Sequence, residues 1–259
     1  MVEHGINYAR TIGMTSPSPD FLSGLKLLLG PKGYADAPED IEPWLSDWRG
    51  VYHGKTAALL SPANADEVSE IVRRAGAAGV PLVPQGGNTG MVGGATPSPD
   101  GSALILSTRR MNAIRSIDAE AGIAVAEAGV ILSVLHDAAL AEGQRFPLSL
   151  GAKGSATIGG LVSTNAGGTQ VLRFGTMRKL VLGLEAVLPD GSIHHGLAAL
   201  KKDNRGYDLN QLLIGAEGTL GVVTAASLKL VPAIADRAVG WIGTESPHAA
   251  LKLLRWPPP

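Results

Sequence analysis

Three stretches of this sequence are nearly bare of side chains. Residues 84–94 read PQGGNTGMVGG, with five glycines among eleven residues and no charge. Gly151–Gly168 and Gly215–Gly221 repeat the habit. Glycine-rich chain loses more conformational entropy on folding than any other, so some interaction must offset it. Exposed main-chain N–H groups can converge on an anion such as phosphate. A helix opening after such a loop adds its positive end. Tight turns without a ligand explain one cluster equally well. Three clusters, each beside a predicted strand or helix, point to one ligand with a long phosphate-containing body.

Other chemistries find little support. No G-x-G-x-x-G dinucleotide fingerprint and no G-x-S-x-G nucleophile elbow occur. Gly50-Val51-Tyr52-His53-Gly54-Lys55-Thr56 is one residue short of a P-loop, and a strand follows where a helix is required. The six histidines form no H-E-x-x-H motif, and there is no cysteine to act as thiolate ligand, nucleophile or disulfide. His194 and His195 are neighbours on a predicted strand, so they point to opposite faces and share no metal readily. His136 reads as a surface residue of a helix. Lys201, Lys202 and Asp203 read as a solvated loop cluster. Arg173, just after the second glycine cluster, either neutralises a phosphate or caps local carbonyls.

The elements that must position these loops follow from periodicity. Phe21–Leu29 has helical spacing, and residues 30–56 are irregular, with Trp44, Trp48 and Tyr52 among them. Ala57–Leu60 reads as a buried strand. Asn64 and Glu67 form a capping box, followed by Val68, Ile71, Val72 and Ala75 on one helical face. Gly79 stops that helix and Val80–Val83 is a second strand, making a βαβ unit that runs into the first glycine loop. Ala103–Ser107 is a further strand. Ile114–Ile117 and Ile123–Ala126 suggest a hairpin. Ile131–Ala141 is helical, with Ile131, Val134, Leu135 and Ala138 inward. Val181–Leu188 and Ile193–His195 flank the turn Pro189-Asp190-Gly191. Leu209–Ile214 is a short helix and Val222–Val231 a strand. Pro247–Trp256 opens another helix before Pro257-Pro258-Pro259, an ending that reads as a truncation.

The totals bound the rest. The chain has 259 residues, 45 % hydrophobic and 17 % charged, which is globular composition. A net charge of −1 gives no electrostatic reason to expect nucleic acid or an anionic membrane as partner. No apolar run approaches the roughly 18 residues of a membrane span. Residues 1–13 lack the apolar core of a secretory signal. With Glu3 and a single arginine they fit a mitochondrial presequence poorly, so the cytoplasm is the expected compartment. Met14 is a candidate start.

The order of motifs is the most specific signal. Pro84–Gly94 is followed by Phe146-Pro147-Leu148-Ser149-Leu150-Gly151-Ala152-Lys153-Gly154-Ser155-Ala156-Thr157-Ile158-Gly159-Gly160. Then come Ser163-Thr164-Asn165-Ala166-Gly167-Gly168 and Leu213-Ile214-Gly215-Ala216-Glu217-Gly218-Thr219-Leu220-Gly221. Across residues 20–250 the chain resembles the FAD-binding half of the vanillyl-alcohol oxidase/p-cresol methylhydroxylase superfamily. Within it, the chain is most similar to the D-2-hydroxyglutarate dehydrogenase, D-lactate dehydrogenase and glycolate oxidase branch. Lys202-Asp203-Asn204-Arg205-Gly206-Tyr207-Asp208-Leu209 and Gly90-Met91-Val92-Gly93-Gly94 lean toward the first of these.

The resemblance implies an α+β fold, a PCMH-type FAD-binding domain of two α+β subdomains with the C-terminal cap domain missing. The expected divisions are a tail at 1–19, subdomains at 20–117 and 118–235, and the start of a cap at 236–259. It also implies FAD, held without a covalent bond because the first loop has no histidine. Pro84, Gln85, Gly86, Gly87, Asn88, Thr89 and Gly90 would approach the diphosphate. Pro147, Gly151, Gly154, Ser155, Thr157, Ile158, Gly159 and Gly160 would meet the cofactor from the other subdomain. Ser163, Asn165, Gly167 and Gly168 would lie along its body, and Glu217, Gly218, Gly221 and Val222 would complete the site.

The implied reaction is oxidation of a D-2-hydroxy acid, D-2-hydroxyglutarate or D-lactate, to the 2-oxo acid by hydride transfer to flavin N5. The family's base, substrate arginine and metal ligands belong to the cap, so no catalytic residue and no metal site is expected here. The alternatives are another enzyme of the same scaffold (an aldonolactone oxidase or enolpyruvyl-sugar reductase), a non-catalytic FAD-holding subunit served by a separate cap polypeptide, and an unstable fragment. The electron acceptor is unspecified, and a homodimer is one option for assembly.

Overall fold

The computed structural model describes residues 16–200, 204 and 206–255. Residues 1–13, Lys201–Asp203 and the closing prolines, on which parts of the sequence reading fell, lie outside them.

Helix α1 (Pro19–Gly33) starts where Ser18 Oγ accepts the Phe21 N–H, and it kinks at Gly30 before Pro31. Strand β1 (Tyr34–Ala35), helix α2 (Pro38–Ile41) and a 3-10 turn at Glu42–Trp44 bring order to the stretch expected to be irregular. Strand β2 (Leu59–Leu60) leads to α3 (Ala65–Ala78). Asn64 Oδ1 accepts the Glu67 N–H at 2.9 Å. The Glu67 carboxylate accepts from Ala63, one residue before the cap, at 2.7 Å. Val68, Ile71, Val72 and Ala75 are buried as their spacing predicts, and Gly79 ends the helix in the left-handed region. Strands β3 (Leu82–Gln85) and β4 (Leu104–Ser107) complete a four-stranded sheet of order β1-β2-β4-β3. Strands β2 and β3 both run parallel to β4, which lies between them. The strands of the expected βαβ unit are therefore not neighbours. All four residues of β4 are buried, so it takes the middle.

The second sheet is wholly antiparallel. It contains β5 (Ile114–Asp118), β6 (Ile123–Glu127), β8 (Val181–Val187), β9 (Ile193–Gly196) and β10 (Val222–Lys229), in the order β5-β6-β10-β8-β9. Its intervening elements are α4 (Leu132–Ala141), β7 (Gln144–Arg145), α5 (Ile158–Ser163), α6 (Val171–Phe174), α7 (Met177–Leu180) and α8 (Asn210–Leu213). The strand expected over 222–231 stops at Lys229. Strand β11 (Val231–Pro232) leaves the sheet to pair with β7. Helix α9 (Pro247–Leu254) closes the described chain and buries no residue.

Two cores result. One packs Leu132, Leu135, Ile158, Leu161 and Val162 against Ala124, Ala126, Leu184, Ala186 and Leu228 of the second sheet. The inward face of α4 is thus Leu132, Leu135 and Ala139; Val134, expected inside, is exposed. Ile131 is the N-cap outside the helix, and the buried stripe is offset by one residue from the expected one. The other core joins α1 and α3 to Leu60, Leu104 and Leu106, and it takes in Val187 and Val222 from the second sheet. Helix α3 is the bridge between the sheets. Ser69 Oγ on it donates to the Gly191 carbonyl in the β8–β9 turn.

Candidate functional site

Parallel strands end on the same side of their sheet, and ligands collect beyond those carboxyl ends. Here β3 and β4 end together. Gln85 and Ser107 are partners in the register, and the Thr108 N–H donates to the Gln85 carbonyl at 3.0 Å. The first glycine loop departs from this point. It forms one wall of a cavity of about 390 Å³, whose other walls are the second and third glycine clusters.

Each cluster contains one non-glycine residue with left-handed backbone, Asn88 (φ 50°), Asn165 (φ 48°) and Glu217 (φ 51°). Such residues carry local strain and persist where neighbours hold them. The Asn88 side chain donates to the Ser46 carbonyl at 2.7 Å. Asn165 Oδ1 accepts the Arg178 N–H at 3.0 Å. The Glu217 N–H donates to the Ser163 carbonyl at 2.9 Å, which ties the third cluster to the second. Arg178 reinforces that tie from outside the cavity, donating to the Gln211 and Ile214 carbonyls.

Glycine is required at the junction of the clusters. A side chain at Gly86 would collide with the Thr157 hydroxyl, and one at Gly87 with the Ser155 carbonyl. Part of the glycine content therefore serves loop-to-loop packing. At Gly90 a Cβ would meet nothing within 4 Å.

The polar groups at the wall suit an anionic ligand with hydroxyls. Among the described residues, the main-chain N–H groups of Gly87, Asn88, Thr89 and Gly90 donate to no carbonyl. Gln85 Oε1, Thr108 Oγ1 and Thr157 Oγ1 are buried without a hydrogen-bond partner. Native proteins leave few such groups unpaired, so each calls for a ligand or solvent partner. Glu217 is the one ionisable side chain among the described residues of the wall. A diphosphate here would be met by main-chain donors and hydroxyls, without a lysine or arginine. That donor set, in a cleft of this shape, fits FAD.

Of the residues expected at the site, Pro84, Gln85, Gly86, Gly87, Asn88, Thr89, Gly90, Thr157, Gly159, Gly160, Ser163, Glu217, Gly218, Gly221 and Val222 line the cavity. Pro147, Gly151, Gly154, Ser155, Ile158, Asn165, Gly167 and Gly168 lie off it. Ile158 is fully buried in the core of the second sheet, and its N–H donates to the Val130 carbonyl. Asn165 is occupied with Arg178. The wall also contains Thr108, Leu161, Thr164, Ala166, Met91 and Val92, which the sequence reading did not assign to the cofactor. For Thr108 a signal existed, since it directly follows a strand parallel to the loop-bearing one. For Leu161 and Ala166 there was none, because apolar residues near a helix read as core.

The other candidates resolve into packing. Arg173 is exposed, with its guanidinium 5.2 Å from the Phe174 ring centre. A side chain at Gly54, in the near P-loop, would collide with the Pro97 carbonyl, and Thr56 Oγ1 donates to Ala103 at 2.7 Å. His136 is half-buried, contrary to its expected surface position, and its Nε2 lies 2.9 Å from the Leu148 carbonyl. Burial lowers its pKa below the usual histidine value despite that bond. His194 pairs with Asn210 Oδ1 at 3.0 Å. No metal-binding cluster of His, Asp or Glu occurs among the described residues.

Comparison with known proteins agrees with this geometry. A family model described as "FAD binding domain" matches residues 56–196. The mitochondrial D-2-hydroxyglutarate dehydrogenase of Bos taurus is 46 % identical over 226 residues, 87 % of this chain and 41 % of that protein. The Arabidopsis thaliana enzyme of the same name is 42 % identical over 233 residues, 90 % of this chain and 41 % of that protein. A solved structure of alkyldihydroxyacetonephosphate synthase shares the fold with a TM-score of 0.73 at 22 % identity, covering 86 % of this chain and 42 % of the other. The chain thus spans about 41 % of the length of these curated relatives. The mixed α+β, PCMH-type architecture is the one expected.

The expected cytoplasmic location is overturned, because both relatives are named as mitochondrial proteins. That expectation rested on the composition of residues 1–13, and a folded domain records nothing of its compartment. Among the described residues no helix is long and apolar enough to cross a membrane.

Proposed function

The chain belongs to the FAD binding domain family, and from that premise we propose that it is the FAD-holding part of a dehydrogenase. Its substrate is a D-2-hydroxy acid, D-2-hydroxyglutarate or D-lactate, and its product the 2-oxo acid. The observation that carries this reading is the row of unbonded main-chain N–H groups from Gly87 to Gly90 in the cavity wall. They would donate to the diphosphate, and Thr89 would add a hydroxyl, with Ser163, Gly218 and Gly221 available to hold the rest of the cofactor. Bound FAD would supply the redox chemistry by accepting hydride at flavin N5 from the substrate α-carbon.

The hydroxyl proton must go to a base, and the substrate carboxylate needs a cation. Among the described cavity residues there is no cation and Glu217 is the single carboxylate, so the cation comes from outside this wall. This chain binds and orients; it does not complete the reaction by itself. With neither histidine nor tyrosine among the described cavity residues, FAD is held without a covalent bond.

The test is spectroscopic. The purified chain mixed with FAD is expected to turn yellow, to keep flavin through gel filtration and to release it into acid. A folded chain that stays colourless at saturating FAD overturns the reading. Under anaerobic conditions, D-2-hydroxyglutarate is expected to leave the flavin spectrum unchanged, and rapid bleaching would place the base within this chain.

A further inference from the structure

The stretch from Trp44 to Gly54, irregular by its sequence, folds into a small hairpin of its own. Ser46 and His53 face each other as an antiparallel bridge, and the Ser46 hydroxyl lies 2.7 Å from His53 Nδ1. The Asp47 N–H donates to the Tyr52 carbonyl at 3.1 Å, and the Gly54 N–H to the Leu45 carbonyl at 2.9 Å. The side chain of Asp47 closes the turn from inside. The residue is 5 % exposed, and its carboxylate accepts the Tyr52 N–H at 2.6 Å and the Arg49 N–H at 3.1 Å.

This hairpin grips the chain from Gln85 to Gly93 at three points, and residues 44–54 stay off the cavity wall. At the root, Gln85 Nε2 donates to the Trp44 carbonyl at 3.1 Å. In the middle, the amide of Asn88, whose backbone is left-handed, donates to the Ser46 carbonyl at 2.7 Å. At the far end Gly93 lies flat against Tyr52, where a Cβ would come within 2.5 Å of the ring. A glycine-rich segment is costly to order, and a loop already held in its binding shape escapes that cost when the ligand arrives. We infer that the Trp44–Gly54 hairpin is a brace that keeps the first glycine loop in its receiving shape before any ligand binds. Asp47 is the positioning residue that holds the brace closed, and Tyr52 bears on the loop directly. The purpose of the brace rests on the FAD reading; its grip on the loop is measurable without a ligand.

The test uses the 259-residue chain with Asp47→Ala, Asp47→Asn and, separately, Tyr52→Ala. Backbone order parameters of the ligand-free proteins are measured by nitrogen-15 relaxation, and FAD affinity by flavin fluorescence titration. In the wild type, residues 87–93 should be as rigid as α3, with order parameters of about 0.85. In Asp47→Ala they should fall below about 0.6 while α3 is unchanged, and FAD should bind about tenfold more weakly. Asp47→Asn keeps a carbonyl acceptor and should recover part of both. Tyr52→Ala, at a half-exposed site, should show the same pair of changes, with affinity down about threefold. A residue of purely structural importance would lower the thermal midpoint and leave the loop as rigid as α3, and that outcome overturns the brace. A wild-type loop already below about 0.6 overturns it too, as does a loosened loop with full FAD affinity. Should Asp47→Ala fail to fold, Tyr52→Ala decides. If the wild type binds no FAD, the proposed function falls, and the order parameters still decide whether the hairpin holds the loop.

Discussion

The two sheets differ in direction, and the difference decides what each contributes to the cavity. In the first, β3 and β4 run parallel, so both deliver their carboxyl ends to one place. The loop that leaves there has main-chain donors not engaged in the sheet, and Gln85 and Thr108 stand side by side. In the second, neighbouring strands alternate in direction and no row of ends forms. That sheet contributes through its connections, the α5 segment and the turn into β10. Main-chain bonds from Gly215 to Val162 and from Glu217 to Ser163 lash these connections together. One half thus presents donors and the other builds a firm wall.

That contrast can be broken most forcefully in the cores. Leu135→Ala in the antiparallel half and Ile71→Ala in the parallel half should each cost about 2–5 kcal/mol, since both side chains are fully buried. Because Val187 and Val222 of the second sheet belong to the core of the first, urea denaturation should show one cooperative transition for either variant. Two separated transitions would mean that the halves fold independently. Next in size is the junction. Gly87→Ala drives a methyl into the Ser155 carbonyl and should cost about 1–3 kcal/mol together with most FAD affinity. Gly90→Ala, with no protein atom within 4 Å of the new Cβ, should match wild type in thermal unfolding.

The outer face of the second sheet permits a sharper test. Arg115 makes a fork to Glu185 at 3.0 and 3.1 Å and reaches Glu127 at 3.2 Å. Burial opposes ionisation of Glu185, but hydrogen bonds from Arg115 and Thr224 outweigh it and hold the carboxyl below its usual pKa. A depressed folded pKa means that the unfolded chain binds the proton first. The contribution is therefore present above the unfolded value of about 4.3 and is lost as pH falls through the folded value. Arg115→Met should cost about 1–3 kcal/mol at pH 7, and its stability should fall less steeply than that of wild type between pH 5 and pH 3 in denaturant titrations. An unchanged slope would remove this network from the account. The smallest expected effect is in the first half, where Asn64→Ala deletes the α3 cap at about 1 kcal/mol, read as a lower thermal midpoint.

Legibility varied with the range of the interactions involved. The capped helix α3, its buried stripe and its Gly79 stop were plain, because caps and periodicity act within a few residues. The hairpin around Pro189-Asp190-Gly191 was plain for the same reason. The strand order was not, because β4, the next strand after β3, crosses back to pair between β2 and β3. Arg178 was invisible in Met-Arg-Lys, while the better-placed Arg173 proved a surface residue. The glycine clusters were legible as a group that belongs together, and residues from all three line one cavity, but their division between packing (Gly86, Gly87) and open wall (Gly90) was not.

Sequence alone determined where three glycine-rich segments fall and in what order, since residue type sets where bare backbone can be exposed. Only the tertiary structure decided that Gly86 meets the Thr157 hydroxyl and Gly87 the Ser155 carbonyl, because the docking of two glycine loops brings distant stretches of chain into contact.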